Sequence, residues 1–295
     1  MPSSAASKIK PAFSTVACPD WTLAQIGERL AAWGFLGVEM RTFGNGSTQF
    51  ACDPALTAPV KTRGMVRAAG MDICGLATSI AYDEPVDPPV IGNVISDTER
   101  SIRQTKSAID LAVQLECPFV RVYGFEIPSG ESRKSGLARI GSRLAKAADY
   151  CRNSGVKLMV ENGGTFCTAT DLAELLDKVN SPLVAAAYSI PVGKLAGESI
   201  TNAANVLGDR LVCVKVKDMK GTTPVALGQG DLGVAGDLGA LAKTGFEGWC
   251  VYEFDRAWLP VGSSVDVDAL LTASAKSMFQ ALGGPSISMR SPARV

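Results

Sequence analysis

Strand-like and helix-like segments alternate eight times along this chain, and nowhere do two apolar runs meet through a tight hairpin turn. Alternation of this kind makes each strand feed a helical crossover, which leaves the strands parallel and the helices on their outer side. Eight such units predict an α/β fold, a single-domain (β/α)8 TIM barrel, in preference to an open doubly wound sheet. The 295 residues suit one domain of that kind. The composition agrees, since 46% hydrophobic residues with only 6% aromatics describe a core of Ala, Val, Leu and Ile, as in parallel sheets covered by helices.

The predicted barrel spans residues 12–282, between a flexible leader at 1–11 and a disordered Ser/Pro/Arg-rich tail at 283–295. Its strands are read at Ala12–Ala17, Gly37–Arg41, Asp72–Ser79, Phe119–Phe125, Lys157–Glu161, Leu183–Ser189, Leu211–Asp218 and Trp249–Asp255. Helices are expected from Pro19-Asp20 to Trp33, from Asp53-Pro54 to Ala69-Gly70, from Ser96 to Leu115, and from Ser135 to Arg152. Others follow at Thr170–Val179, Glu198–Leu207, Asp237–Thr244 and Val265–Leu282. Leu23, Ile26, Leu30 and Trp33 recur at helical spacing, with Gly34 as a stop. Ser96-Asp97-Thr98-Glu99 has the pattern of a capping box. The stretch Ile80–Asn93 contains Pro85, Pro88 and Pro89, which forbid regular structure and predict a loop over the strand ends.

Several strands end abruptly on charge. Lys157-Leu158-Met159-Val160 delivers Glu161, Asn162 and a glycine pair, while the seventh strand ends in Lys215-Val216-Lys217-Asp218 and the eighth in Tyr252-Glu253. A barrel of this kind carries its site at the C-terminal rim. There Glu39, Arg41, Arg121, Tyr123, Glu161, Asn162, Ser189, Lys215, Lys217, Asp218 and Glu253 are expected to converge, with substrate-binding roles for those that do not carry chemistry.

The chain has no histidine. That excludes Ser-His-Asp and Cys-His catalysis and every imidazole-dependent metal site, leaving carboxylate, lysine, tyrosine or a metal held by oxygen. Eight cysteines are scattered singly with no C-x-x-C, as expected of reduced thiols used as small core residues. Lys plus Arg equals Asp plus Glu at 29 each, so no global field would gather nucleic acid or an anionic membrane. No apolar run is long enough to span a bilayer and Met1–Lys10 lacks a signal-peptide core, so a cytoplasmic location is expected.

Glu161 and Glu253 suit removal of a proton from one face of a carbon beside a carbonyl and its return to the other; the bland alternative is that each pairs with Arg or Lys to close the barrel mouth. Lys215 and Lys217, two apart, share one face of their strand. A buried lysine there demands a carboxylate, so Lys215 is either a structural ion pair or a cation that polarises a substrate carbonyl. Leu227-Gly228-Gln229-Gly230-Asp231 lacks the third glycine of a dinucleotide loop, and Asp218 is either a brace of the loop after the seventh strand or a solvated turn residue. The basic series Arg133, Lys134, Arg139, Arg143 and Lys146 reads as a solvated helix face.

Taken together, Phe13-Ser14-Thr15, Asp20-Trp21-Thr22-Leu23, Gly34-Phe35-Leu36-Gly37-Val38-Glu39-Met40-Arg41 and Val160-Glu161-Asn162 resemble the sugar phosphate isomerase/epimerase family, the xylose-isomerase-like barrels. Val214-Lys215-Val216-Lys217-Asp218, Leu227-Gly228-Gln229-Gly230-Asp231 and Gly245-Phe246-Glu247-Gly248 leading to Tyr252-Glu253 continue the likeness in order. The resemblance implies a divalent metal held by Glu, Asp, His and Glu. Here the two Glu positions fall on Glu161 and Glu253, the Asp position on Ser189 and the His position on Lys215. With half the ligands gone and an ammonium in the set, the expectation is no cofactor, Lys215 replacing the metal charge; an oxygen-only site at Glu161 and Glu253 taking Mg or Mn is the fallback. The activity implied is a carbohydrate isomerase, epimerase or eliminating lyase, with Glu161 and Glu253 as acid/base and Lys215 as electrophile. The alternative is a pseudoenzyme that binds a sugar or sugar acid. A small-molecule carbohydrate is the expected partner, and similar barrels are often homodimers.

Overall fold

A computed structural model describes residues 9–42, 58–85 and 99–283. The barrel strands are β1 (Lys10–Ser14), β2 (Gly37–Arg41), β3 (Asp72–Ala81), β4 (Phe119–Tyr123), β5 (Lys157–Glu161), β6 (Val184–Ser189) and β7 (Leu211–Val216), with β10 (Trp249–Tyr252) as the eighth. They close in the order β1-β10-β7-β6-β5-β4-β3-β2, all neighbours parallel. The short strands β8 (Asp218–Lys220) and β9 (Thr223–Val225) form an antiparallel hairpin after β7, contrary to the hairpin-free expectation; Gly221 at the turn has φ +58, where a side chain would be strained.

Around the barrel lie α1 (Leu23–Trp33), α2 (Pro59–Ala68), α3 (Arg100–Leu115), α4 (Arg133–Ala148), α5 (Ala169–Val179), α6 (Ile190–Leu195), α7 (Ile200–Leu207), α8 (Val234–Leu241) and α9 (Val267–Ala281). Helix α6, absent from the sequence reading, starts directly after Ser189 with Pro191 in its first turn. Helix α1 begins at Leu23, later than Pro19-Asp20, because Thr22 and Gln25 form a capping box there; Gly34 closes it in the left-handed conformation as expected. Strand β1 starts at Lys10, inside the expected leader, and turns into a 3-10 turn at Thr15–Ala17. The expected start of α2 at Asp53-Pro54 and the box at Ser96–Thr98 lie outside the described residues, as do most of the Ile80–Asn93 loop and of the tail.

Alternation along each strand divides two environments. Val38, Met40, Val120, Val122, Leu158, Val160, Val214 and Val216 belong to the large core beneath the helices. Inward-facing Ala12, Cys74, Met159, Ala187, Cys213, Trp249 and Val251 form a separate apolar cluster that fills the barrel. Trp249 plugs its floor, and Gly37 makes that possible, since a Cβ there would come within 2.5 Å of the indole. No two of the described cysteines are joined in a disulfide, and burial raises Cys151 to about 11 and Cys117 and Cys250 to about 12, as expected of thiols packed as small apolar groups.

Candidate active site at the barrel mouth

Continuing the same alternation upward places Glu39 and Arg41, Arg121 and Tyr123, Glu161, Ser189, Lys215, Lys217 and Glu253 on the inner side of their strands, above the apolar plug. A polar layer in the interior of a barrel must satisfy its charges internally, and this one does so through two buried cations.

Lys215 Nζ lies 2.5 Å from Glu39 Oε2 and 2.7 Å from Glu253 Oε1. Arg121 Nη1 donates to Glu161 Oε2 at 3.0 Å and lies 3.6 Å from the same Glu253 oxygen, while its Nε and Nη2 donate to the Thr78 carbonyl at 3.3 and 2.8 Å. Glu253 thus bridges the two cations, and Glu161 and Glu253 are brought together by one guanidinium. Burial opposes the charge on Lys215, but Glu253 and Glu39 outweigh it and hold the ammonium above the usual lysine range. Burial likewise opposes ionisation of Glu253, and Lys215, Lys217 and Arg121 together reverse this, keeping its carboxyl well below the ordinary value.

The sequence expectations sort themselves by depth. Glu161 and Glu253, 6% and 7% exposed, reach the rim. Glu39 is fully buried and meets Lys215 below it, so it is placed as an anchor for the ammonium rather than as a substrate contact. Lys215 is 1% exposed, and its nitrogen lies between the Glu39 and Glu253 carboxylates. Lys217, partly exposed, bonds Asp255 Oδ2 at 2.6 Å and stands 5.6 Å over the Trp258 ring. Asn162 joins β5 to β6: its Oδ1 accepts from the Ser189 N–H at 2.6 Å and its Nδ2 donates to the Cys167 and Ser189 carbonyls. Asp218 accepts from the N–H groups of Met219, Gly228 and Gly230, and so braces the glycine loop. Both side chains bond the backbone, Asp218 as the loop brace the sequence suggests.

Other participants carry no signal of their own in the sequence. Thr78 and Ser79 follow a plain apolar strand, yet the Thr78 carbonyl serves Arg121, and Ser79 Oγ accepts from Arg41 Nη2 at 2.7 Å. Phe125 adopts φ +64, rare for a bulky residue, and sets its ring edge-on to Tyr123 at 6.1 Å. Arg121 in turn stacks 5.0 Å over the Tyr123 ring.

The donor set does not fit a divalent metal. Of the four positions implied by the resemblance, Ser189 offers a hydroxyl and Lys215 a protonated amine; the Lys215 and Arg121 nitrogens already lie against the two carboxylates. Among the described residues no group of three or more His, Cys, Asp or Glu side chains is arranged to share an ion.

The sequence matches the family model of the xylose isomerase-like TIM barrel over residues 28–276. No curated protein sequence matches it significantly. Among solved structures, an L-ribulose 3-epimerase superposes with a TM-score of 0.75 at 14% identity, covering 93% of this chain and 95% of that one. The IolI protein with a bound zinc atom gives 0.74 at 14% identity, covering 93% and 98%. The probable 3-DHS dehydratase AsbF from Bacillus anthracis gives 0.71 at 12% identity, covering 91% and 98%. Among the described residues, no helix is long and apolar enough to cross a membrane.

Proposed function

The chain belongs to the xylose isomerase-like TIM barrel family, and from that membership we propose that it is a carbohydrate isomerase, epimerase or eliminating lyase acting by proton transfer beside a carbonyl. The observation that carries this reading is the convergence of Glu161 and Glu253, from separate strands, on one nitrogen of Arg121, Nη1, at the barrel mouth. The likeness to an L-ribulose 3-epimerase and a probable 3-DHS dehydratase lends support, since epimerisation and dehydration are both chemistry at a carbon bearing hydrogen or hydroxyl.

In this mechanism Glu253 enters as a carboxylate, because Lys215, Lys217 and Arg121 keep it ionised. It takes the proton from one face of the substrate carbon, while Glu161, having picked up a proton from solvent, delivers it to the other face or to a hydroxyl that leaves as water; Glu253 then returns its proton to solvent. Negative charge developing on the carbonyl oxygen is met by Lys217, the lysine of this set that reaches the partly exposed rim. Lys215 acts through Glu253 and not on substrate, so it is a positioning residue. The reaction runs without a divalent metal: the two ligand positions that depart from the family pattern carry a hydroxyl and an ammonium, and the ammonium supplies the positive charge from below.

A second reading has its own observation. Glu253 beside three cations is a weak base, which suits a protein that binds a sugar or sugar acid without transforming it. Incubating chelator-treated protein in D2O with a panel of aldoses, ketoses and their acids separates the two. Proton transfer puts deuterium on the carbon beside the carbonyl, visible by NMR, and Glu161→Gln and Glu253→Gln each abolish it. Ligand that binds yet is recovered unlabelled after long incubation supports the binding protein instead.

A further inference from the structure

The cations of the barrel mouth are not equivalent. Lys215, Lys217 and Arg121 each lie against a carboxylate. Arg41 does not: among the described residues its guanidinium meets only neutral acceptors, Nη1 the Thr78 carbonyl at 3.4 Å and Nη2 Ser79 Oγ at 2.7 Å. Its backbone is fixed as well, the Arg41 N–H donating to Thr15 Oγ1 at 2.9 Å.

The neighbourhood makes this arrangement costly without a ligand. In the sheet register Arg41 pairs with Ala77 and Ala77 with Arg121, so the two arginines flank a single small residue of β3. Both then donate to the same Thr78 carbonyl. Two guanidiniums on one acceptor repel one another, and of the two only Arg121 has a carboxylate in contact among the described residues. Burial, then the charge of Arg121, depress the basicity of Arg41, and the more distant Glu253 and Glu39 offset this only in part. A guanidinium presents five N–H donors in a planar fork that matches a carboxylate or phosphate, and Arg41 leaves several of them uncommitted at a partly exposed position.

We infer that Arg41 is the receptor for an anionic group of the substrate, and that the sugar taken by this barrel is therefore an acid: a carboxylate-bearing or phosphorylated carbohydrate in place of a neutral one. The inference rests on the reading of the rim as a sugar site, and it deepens that reading by naming the substrate class. Glu161 stands on β5, beyond Arg121 as counted from β2, and Glu253 directly after β10, two strands from β2 in the other direction, so a carbon chain anchored at Arg41 extends across the mouth between them. Ser79 Oγ, within hydrogen-bond distance of Arg41, orients the fork.

The test is binding, measured by titration calorimetry on the full chain with matched probes: D-gluconate against D-glucitol, and D-glucose 6-phosphate against D-glucose. At least one acid binds more tightly than its neutral partner by about ten- to a hundredfold, the range of a charge-assisted contact. Arg41→Gln removes that preference, weakening the acid at least tenfold more than its neutral partner, and Arg41→Lys, which keeps the charge without the fork, retains part of it. Preference for gluconate identifies a sugar acid and preference for the 6-phosphate a sugar phosphate. Equal binding of acid and neutral probes, an unaltered preference in Arg41→Gln, or binding of neither acid at millimolar concentration overturns the inference. Failure of the proton-transfer reading has a different signature: Arg41-dependent binding persists with no deuterium exchange.

Discussion

Lys215 Nζ and Glu253 Oε1 face each other at 2.7 Å inside the barrel, from neighbouring strands of its wall, and the same ammonium reaches Glu39 on the other side. Glu39 depends on this contact, because its second oxygen is buried without a hydrogen-bond partner among the described residues. Lys215→Met therefore leaves a buried carboxylate with no cation in contact, an error that destabilises by about 3–5 kcal/mol. Denaturant unfolding of the variant should show the loss, and the double variant Glu39→Gln/Lys215→Met should recover part of it. An unchanged midpoint in the single variant would show that the pair contributes nothing.

The same pair fixes a pH dependence. Glu253 has a folded-state pKa below its unfolded value, so its contribution is fully present above the unfolded carboxylate pKa of about 4.3 and is lost as pH falls toward the folded value. Lys215 has the opposite sign: its contribution is present below the unfolded lysine pKa of about 10.4 and is lost as pH rises beyond it. The stability difference between the wild type and Glu253→Gln should thus stay level from about pH 5 to pH 9 and shrink at lower pH. Thermal or urea unfolding across that range checks it; a difference that grows on acidification contradicts the ion pair.

Asp218 offers a separate test, of a loop brace against a substrate contact. It holds three backbone N–H groups, and Gly230 sits so close that a Cβ there would fall 2.0 Å from its Oδ1. Asp218→Ala should cost about 1–3 kcal/mol and raise amide hydrogen exchange at Gly228 and Gly230 above that of the neighbouring loops. Unaltered exchange at those amides would return Asp218 to the list of candidate ligands.

Much of this architecture was legible because barrel strands are punctuated. Glu39 and Arg41, Arg121 and Tyr123, and Lys215 and Lys217 are spaced by two, and a period of two is what puts pairs on one face of a strand. Depth was not legible. Nothing in Val38-Glu39-Met40 distinguishes a carboxylate at the rim from one a layer below, since that depends on strand tilt and on the register shift between Val38 and Glu39. The Thr78 carbonyl was invisible for another reason: a main-chain acceptor has no residue type. Asn162 and Asp218 carry a signal that serves a ligand or the backbone equally well, since an amide or carboxylate at a strand end can bond either; the loop brace expected of Asp218 is what the structure shows, and Asn162 bonds the Ser189 N–H and carbonyl. The hairpin of β8 and β9 replaced a helix-bound loop because Asp218 and the glycines of residues 221, 228 and 230 allow the chain to fold back on itself.

In the proposed mechanism Lys215 supplies from below the positive charge that a divalent ion would otherwise bring to this mouth. Elemental analysis of the purified chain after dialysis against Mn, Zn and Mg, paired with the deuterium-exchange assay before and after chelation, is the decisive measurement. Far less than one ion per chain and exchange indifferent to chelator are expected. One tightly held ion per chain, absent from Glu161→Gln or Glu253→Gln and required for exchange, would contradict the mechanism.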